Sequence, residues 1–279
     1  MPGKAIKIVL VLSSLFLVGL ATTASAQNRF TGGSLPDIPK LEGHEVKTFM
    51  DNFRNQRLSS GDYSFRFYLR NMPRRGADKY YYGIMWGTWN ELGPLTRVRV
   101  WEENSDDVTD FLLQNGFSPT VWVSRNGAEP TFVPKEAWNT PLMPGLEYTA
   151  FDFLMPFIFW DDYVYEGGKR VKGRPAQVFL MGGEVRLAID SSYRALIRAD
   201  ILSDKGDIAK TFKIIDFKKV EDEWIVKSID LVNEENRDKT RFQVTAVALG
   251  LHIEPAYFDE AALGKMVPMV DADQYISIH

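Results

Sequence analysis

In Tyr193-Arg194-Ala195-Leu196-Ile197-Arg198-Ala199-Asp200-Ile201-Leu202, Tyr193, Ala195, Ile197, Ala199 and Ile201 fall on one side, and Arg194, Arg198 and Asp200 on the other. That is the period of a strand in a sheet with one dry and one wetter face. Turn chemistry follows at Ser203-Asp204-Lys205-Gly206-Asp207 and precedes at Gly182-Gly183. The same texture recurs at residues 162–166, 176–181, 185–190, 208–220, 223–232 and 240–251, with further turns at Gly167-Gly168 and 233–238. Short apolar runs separated by turns are most simply joined as sequential antiparallel strands, and their dry face needs an apolar cover.

Working back toward the N-terminus, Tyr63, Phe65, Phe67 and Leu69 alternate with Ser64, Arg66, Tyr68 and Arg70, a second half-buried strand. Runs at 80–89, 97–102 and 119–123 continue the pattern. Residues 108–115, ending near Gly116, are expected to form a short helix. Over 45–58 the apolar residues Val46, Phe49, Met50, Phe53 and Leu58 fall mostly at helical spacing, with Lys47, Asp51, Arg54 and Arg57 opposite, which predicts an amphipathic helix. A last short helix is expected over 258–265, after Pro255, packed on an end of the sheet.

Lys4 and Lys7, an apolar run over 8–20 and Ala24-Ser25-Ala26 read as a secretory signal peptide cleaved after Ala26. The run is shorter than the roughly 20 residues that span a bilayer, so a soluble exported protein is expected, placed in the periplasm. Residues 27–42, with Gly32-Gly33-Ser34, Pro36 and Pro39, read as a flexible lead-in to one β domain over 43–279. Without cysteine there is neither a disulfide nor a lipid-modified N-terminus. Removing the signal changes the formal charge to (33 − 2) − 37 = −6, which speaks against a nucleic-acid partner.

Catalysis needs a group titrating near working pH or a nucleophile beside a base. The chain offers only His44, His252 and His279, and no nucleophile-elbow, zinc-protease or nucleotide-binding motif. The carboxylate pairs Glu102-Glu103, Asp106-Asp107 and Asp161-Asp162 are neighbours in sequence, and neighbours rarely point at one site. Trp86, Trp89, Trp101 and Trp122 could stack on sugars but sit where strands bury core. The expectation is a protein that is no enzyme and holds no metal or cofactor.

The least ordinary stretch is 138–160, with Pro141, Pro144 and Pro156 and five large aromatic residues in Phe151-Asp152-Phe153-Leu154-Met155-Pro156-Phe157-Ile158-Phe159-Trp160. A proline in mid-run suits neither a long helix nor a central strand. Two readings stand: a connection that fills the core beneath the sheet, or a mobile apolar lid over a cavity.

Residues 148–265 carry further packing features: Phe151-Asp152-Phe153, a hairpin over 163–173 leading into Arg174-Pro175-Ala176-Gln177-Val178, a strand-turn-strand around 204–210, Trp224-Ile225-Val226 with Asn233, Thr240-Arg241-Phe242-Gln243-Val244, and Phe258 with Leu263. In these the chain resembles the outer membrane lipoprotein-sorting protein family, the LolA/LolB-like superfamily of periplasmic carriers. The earlier half matches in texture, and residues 71–150 have no aligned counterpart. The resemblance implies a mainly β (α+β) fold, a strongly curved antiparallel half-barrel sheet with helices covering its concave face. It further implies a hydrophobic cavity for lipoprotein acyl chains or lipid, no cofactor, and partners in inner-membrane release machinery and an outer-membrane acceptor. The candidate ligand-binding residues are Phe153, Leu154, Phe157, Phe159, Trp160, Phe179 and Trp224. The alternative is an envelope interaction or sensor protein with the same fold and a filled core.

Overall fold

The computed structural model describes residues 38–279 and a two-residue strand, β1 (Phe16–Leu17), set beside Trp224 and Ile225. The expected signal peptide, apart from that strand, and the lead-in up to residue 37 lie outside the described residues. The end of the lead-in is fastened to the sheet: Gln177 Nε2 donates to the Pro39 carbonyl at 3.1 Å, and Leu41 N to Tyr165 Oη at 3.0 Å.

Helix α1 (His44–Arg54) opens the folded part, with Phe49, Met50 and Phe53 on its buried side. Strands β2 (Asp62–Met72), β3 (Lys79–Asn90), β4 (Gly93–Glu102), β5 (Val108–Gln114), β6 (Thr120–Arg125) and β7 (Thr131–Phe132) follow. After helix α2 (Ala150–Leu154) come β8 (Tyr163–Val171), β9 (Arg174–Met181), β10 (Val185–Asp190), β11 (Leu196–Leu202), β12 (Ile208–Val220), β13 (Glu223–Asn233), β14 (Lys239–Leu251) and β15 (Ile276–Ser277). Thirteen of them pair antiparallel in the order β7-β6-β5-β4-β3-β2-β14-β13-β12-β11-β10-β9-β8, an unclosed, curved sheet ending in β7 and β8, while β15 pairs with β14 and β1 with β13 off that path. Two meanders are therefore joined by one seam, β2 against β14, in which Phe67 lies opposite Val244.

The alternation over 63–69 holds, and Tyr63, Phe65, Phe67 and Leu69 all enter the main core. Opposite two of these rings β3 carries glycine. A Cβ on Gly83 would lie 2.3 Å from Phe67 Cζ, and one on Gly87 2.0 Å from Tyr63 Cζ. The rings fill the space that side chains would otherwise take.

Three expectations are corrected. Over the expected 108–115 helix the chain forms a strand instead, Val108–Gln114. Phe111 and Leu113 enter the inner core while Leu112 enters a cluster on the outer face, and a segment apolar on both sides has no period to betray its type. Residues 258–265 form 3-10 turns, Pro255–Phe258 and Glu260–Ala262, interrupted by the extended Asp259. The 193–202 alternation is broken by a bulge. Arg194 adopts a left-handed φ of 53°, β11 begins at Leu196, and the pairs Ile189↔Leu196 and Ala188↔Arg198 leave Ile197 as an extra residue. Leu196 and Ala199 thus face the inner core, whereas Ile197 packs outside with Ala176, Val178 and Ala188.

Both faces of the N-terminal meander are covered. Outside, the C-terminal tail brings Ile253, Phe258 and Leu263 onto Trp86 and Leu112, and the wholly buried Arg97 donates to the carbonyls of Tyr257 (2.9 Å) and Ala262 (3.3 Å). Inside lie α1 and the 133–160 connection. Among the described residues no helix is long and apolar enough to cross a membrane.

Candidate functional site: the covered concave face

The concave face of the sheet is an apolar surface that neither meander can hide alone. The cover is built from local chemistry. Thr149 caps α2: its Oγ1 accepts from Asp152 N (3.2 Å) while Asp152 Oδ2 accepts from Thr149 N (2.9 Å). The helix stops after five residues because Met155 precedes a proline and takes a left-handed φ of 46°. A non-glycine residue held there costs roughly 1–2 kcal/mol. Pro156 then opens a 3-10 turn, Pro156–Phe159. The cover is thus two short helical pieces joined at a strained bend.

The structure gathers six of the seven candidate residues. Phe153, Leu154, Phe157, Phe159 and Phe179 are at most 7% exposed in one cluster, and Trp160 packs half-buried against it. Phe153 meets Phe67 (6.0 Å between ring centres) and Phe242 (6.2 Å), Phe157 meets Phe212 (6.5 Å), and Phe179 meets Phe49 (5.9 Å). Trp224 stands apart, packed with Ala195 and Phe217 in a small cluster of its own. Phe49, Phe67, Phe212 and Phe242 share this cluster without having been among the candidates. Their signal was strand or helix parity, which marks an inward face but not its use.

A few polar contacts tie the cover down. Arg54, at the end of α1, donates Nε to the Ile158 carbonyl (2.7 Å) and Nη2 to the Trp160 carbonyl, and its Nη1 lies 3.3 Å from Asp161 Oδ1. Burial holds its guanidinium below the usual arginine value, with Asp161 opposing that shift. At the other end Asn71 Nδ2 donates to the Gly145 carbonyl (2.8 Å), and Tyr81 Oη to the Pro144 carbonyl (3.0 Å). Asn115 Nδ2 donates to the Leu154 carbonyl. In the middle, Lys210 on β12 reaches Asp152 Oδ2 at 3.2 Å.

Asp152 is fully buried, and desolvation raises its pKa above the usual carboxylate value, with Lys210 and then Thr149 opposing. Its Oδ1 and the neighbouring Tyr148 Oη are buried without a hydrogen-bond partner among the described residues. Burial pushes the Tyr148 hydroxyl well above its ordinary value.

Asp161 serves Arg54, Glu102 lies 3.3 Å from Lys79, Glu103 accepts from Tyr82 Oη (3.0 Å) and Asp107 from Asn126 (2.8 Å). No group of three His, Cys, Asp or Glu among the described residues is placed to hold a metal. Trp86 is buried in the outer cluster, while Trp89 and Trp122 help line an open outer pocket of about 410 Å³. The concave face can bury apolar groups and present a few hydrogen-bonding atoms.

A family model described as an uncharacterized protein matches residues 183–265. No curated protein matches the chain. Among solved structures, a DUF1329 family protein from Desulfovibrio piger is similar at 13% identity and a TM-score of 0.65, covering 78% of this chain and 96% of that one. A putative outer membrane lipoprotein-sorting protein domain from Vibrio parahaemolyticus is similar at 11% identity and a TM-score of 0.65, with the same coverage of both chains. A LolA superfamily protein from Nitrosomonas europaea is similar at 15% identity and a TM-score of 0.60, covering 76% of this chain and 96% of that one. At such identities the likeness is one of architecture alone: the chain has the unclosed, curved half-barrel fold of these LolA-like structures.

Proposed function

We propose that this protein is a periplasmic, non-enzymatic carrier that shelters lipoprotein acyl chains or a comparable lipid beneath the 133–160 cover and sorts them toward the outer membrane. The observation that carries the reading is the cover itself, an aromatic-rich connection on the concave face of an unclosed sheet. It is jointed at the strained Met155-Pro156 step and fastened through Arg54 and the Asp152–Lys210 pair. Swinging it out exchanges aromatic side chains for alkyl chains, each buried methylene contributing roughly 0.8 kcal/mol. The lipoprotein-sorting name of the Vibrio structure supports the choice of cargo. Loading would come from inner-membrane release machinery and delivery would be to an outer-membrane acceptor.

Native mass spectrometry of protein purified from the periplasm tests this, together with uptake of a neutral fluorescent diacylglycerol. Co-purified lipid and saturable uptake are expected; neither appearing would end the carrier reading. The near-complete burial of Phe153, Leu154, Phe157 and Phe179 favours a second reading, a filled core serving an envelope interaction or sensor protein. That reading expects no uptake even after the Arg54 and Lys210 contacts are removed.

A further inference from the structure

On the outer face of the C-terminal meander lies a cavity of about 560 Å³ where Lys172, Arg174, Ile197, Ile215, Asp216 and Phe217 meet. Two bulges make it. One is the extra Ile197 of β11. The other is in β12, where the pairs Ile214↔Ile229 and Asp216↔Ser228 leave Ile215 over, 45% exposed. Pairing of β11 with β12 begins only at Arg198↔Lys213, so from residue 214 onward β12 runs on without that neighbour and the surface opens. The floor is apolar.

The rim is cationic and unevenly compensated. Arg174 has Asp190 (3.2 Å), Arg198 has Asp200 (2.8 Å), Lys213 has Glu234 (3.6 Å), and Asp216 is taken by Lys227 (3.5 Å). Lys172, in the left-handed turn between β8 and β9 with φ 49°, donates to the Ile214 carbonyl at 3.4 Å and makes no ion pair among the described residues. Burial holds its ammonium below the usual lysine value, and Lys213 and Arg198 push the same way against Asp230. A partly dehydrated cation in a positive field, above the exposed Ile215 and the half-buried Phe217, has two needs that one ligand meets: an anion for the ammonium and a hydrocarbon for the floor.

We propose that this outer cavity binds an anionic amphiphile, its carboxylate or phosphate head on Lys172 and its alkyl chain over Ile197, Ile215 and Phe217. The site lies away from the covered concave face and stands or falls independently of the carrier reading.

The test is calorimetric titration of the full-length protein with sodium dodecanoate and with dodecyl phosphate, each below its micellar range, against dodecyl maltoside and dodecyltrimethylammonium. Saturable binding of at least one anion is expected, and which of the two binds names the head group. Lys172→Glu is expected to raise its Kd about tenfold, since it both removes a partly screened attraction and adds a repulsion of similar size. Ile215→Ser should also weaken binding. Both positions are exposed, and an unchanged melting temperature confirms that the variants fold. Equal binding by wild type and Lys172→Glu, or equal binding of the maltoside, overturns the proposal. Uptake of the neutral diacylglycerol by Lys172→Glu, measured in parallel, reports on the concave face separately.

Discussion

Replacing Lys210 with methionine keeps the length of the side chain and removes the cation facing Asp152. Asp152 is completely buried, with one oxygen unpartnered among the described residues, so its charge then keeps only the hydrogen bond from Thr149 N and no counter-charge. The cost has a ceiling, because the carboxyl can take up a proton instead. At pH 7 holding a proton on a group whose usual value is 3.8 costs 1.36 × (7.0 − 3.8), about 4 kcal/mol. This agrees with the roughly 3–5 kcal/mol lost when one partner of a buried pair is removed.

The sign follows from linkage. In the folded variant Asp152 holds its proton to higher pH than in the unfolded chain, so stability is intact below the ordinary carboxylate value and is lost as the pH rises. The difference from wild type should therefore shrink by about 1.4 kcal/mol per pH unit on acidification, until wild-type Asp152 also becomes protonated. Urea denaturation followed by tryptophan fluorescence between pH 7.5 and 4.5 measures it. Adding Asp152→Asn should restore most of the loss, since an asparagine oxygen still caps Thr149. If Lys210→Met costs less than about 0.5 kcal/mol at pH 7, or the same at every pH, then the buried pair does not hold the cover as argued.

Arg54→Met strips donors from the Ile158 and Trp160 carbonyls and should cost about 2–3 kcal/mol while speeding diacylglycerol uptake; an unchanged denaturation midpoint would show the latch to be idle. Gly83→Ala sets a methyl into the Phe67 ring and should cost about 1–3 kcal/mol by thermal melting. Tyr148→Phe removes a buried hydroxyl that has no partner among the described residues and should leave stability within about 0.5 kcal/mol or raise it, whereas a loss above about 1.5 kcal/mol would reveal a bond to that oxygen.

Much of the sheet is legible because one face of each strand is dry, as at Tyr63, Phe65, Phe67 and Leu69. Legibility fails where a second layer intervenes. Leu112 looks helical because the C-terminal tail buries the face that would otherwise be polar. Ile197 sits on the unexpected face because a bulge, invisible to a period of two, resets the register. The cover announces itself through Pro156 and its five aromatic residues. Its fastenings do not, because Arg54 and Lys210 are ordinary surface types until the fold brings them against residues 104 and 58 positions away. Trp224 is a candidate through the Trp224-Ile225-Val226 feature of the resemblance, and its strand carries it to a different cluster.

The join between the first long strand and the last has a kinetic meaning. Phe67 and Val244 are 244 − 67 = 177 residues apart, so every other strand on the path can find its neighbour through short hairpins before this one contact can form. Until then each half presents a bare strand edge to solvent, that of β2 rich in aromatic residues, ready to pair with another molecule in the same condition. A newly made chain is thus most vulnerable to aggregation in the interval before its two ends meet, and any helper that shields β2 or β14 during that wait would raise the yield of folded protein without touching its final stability.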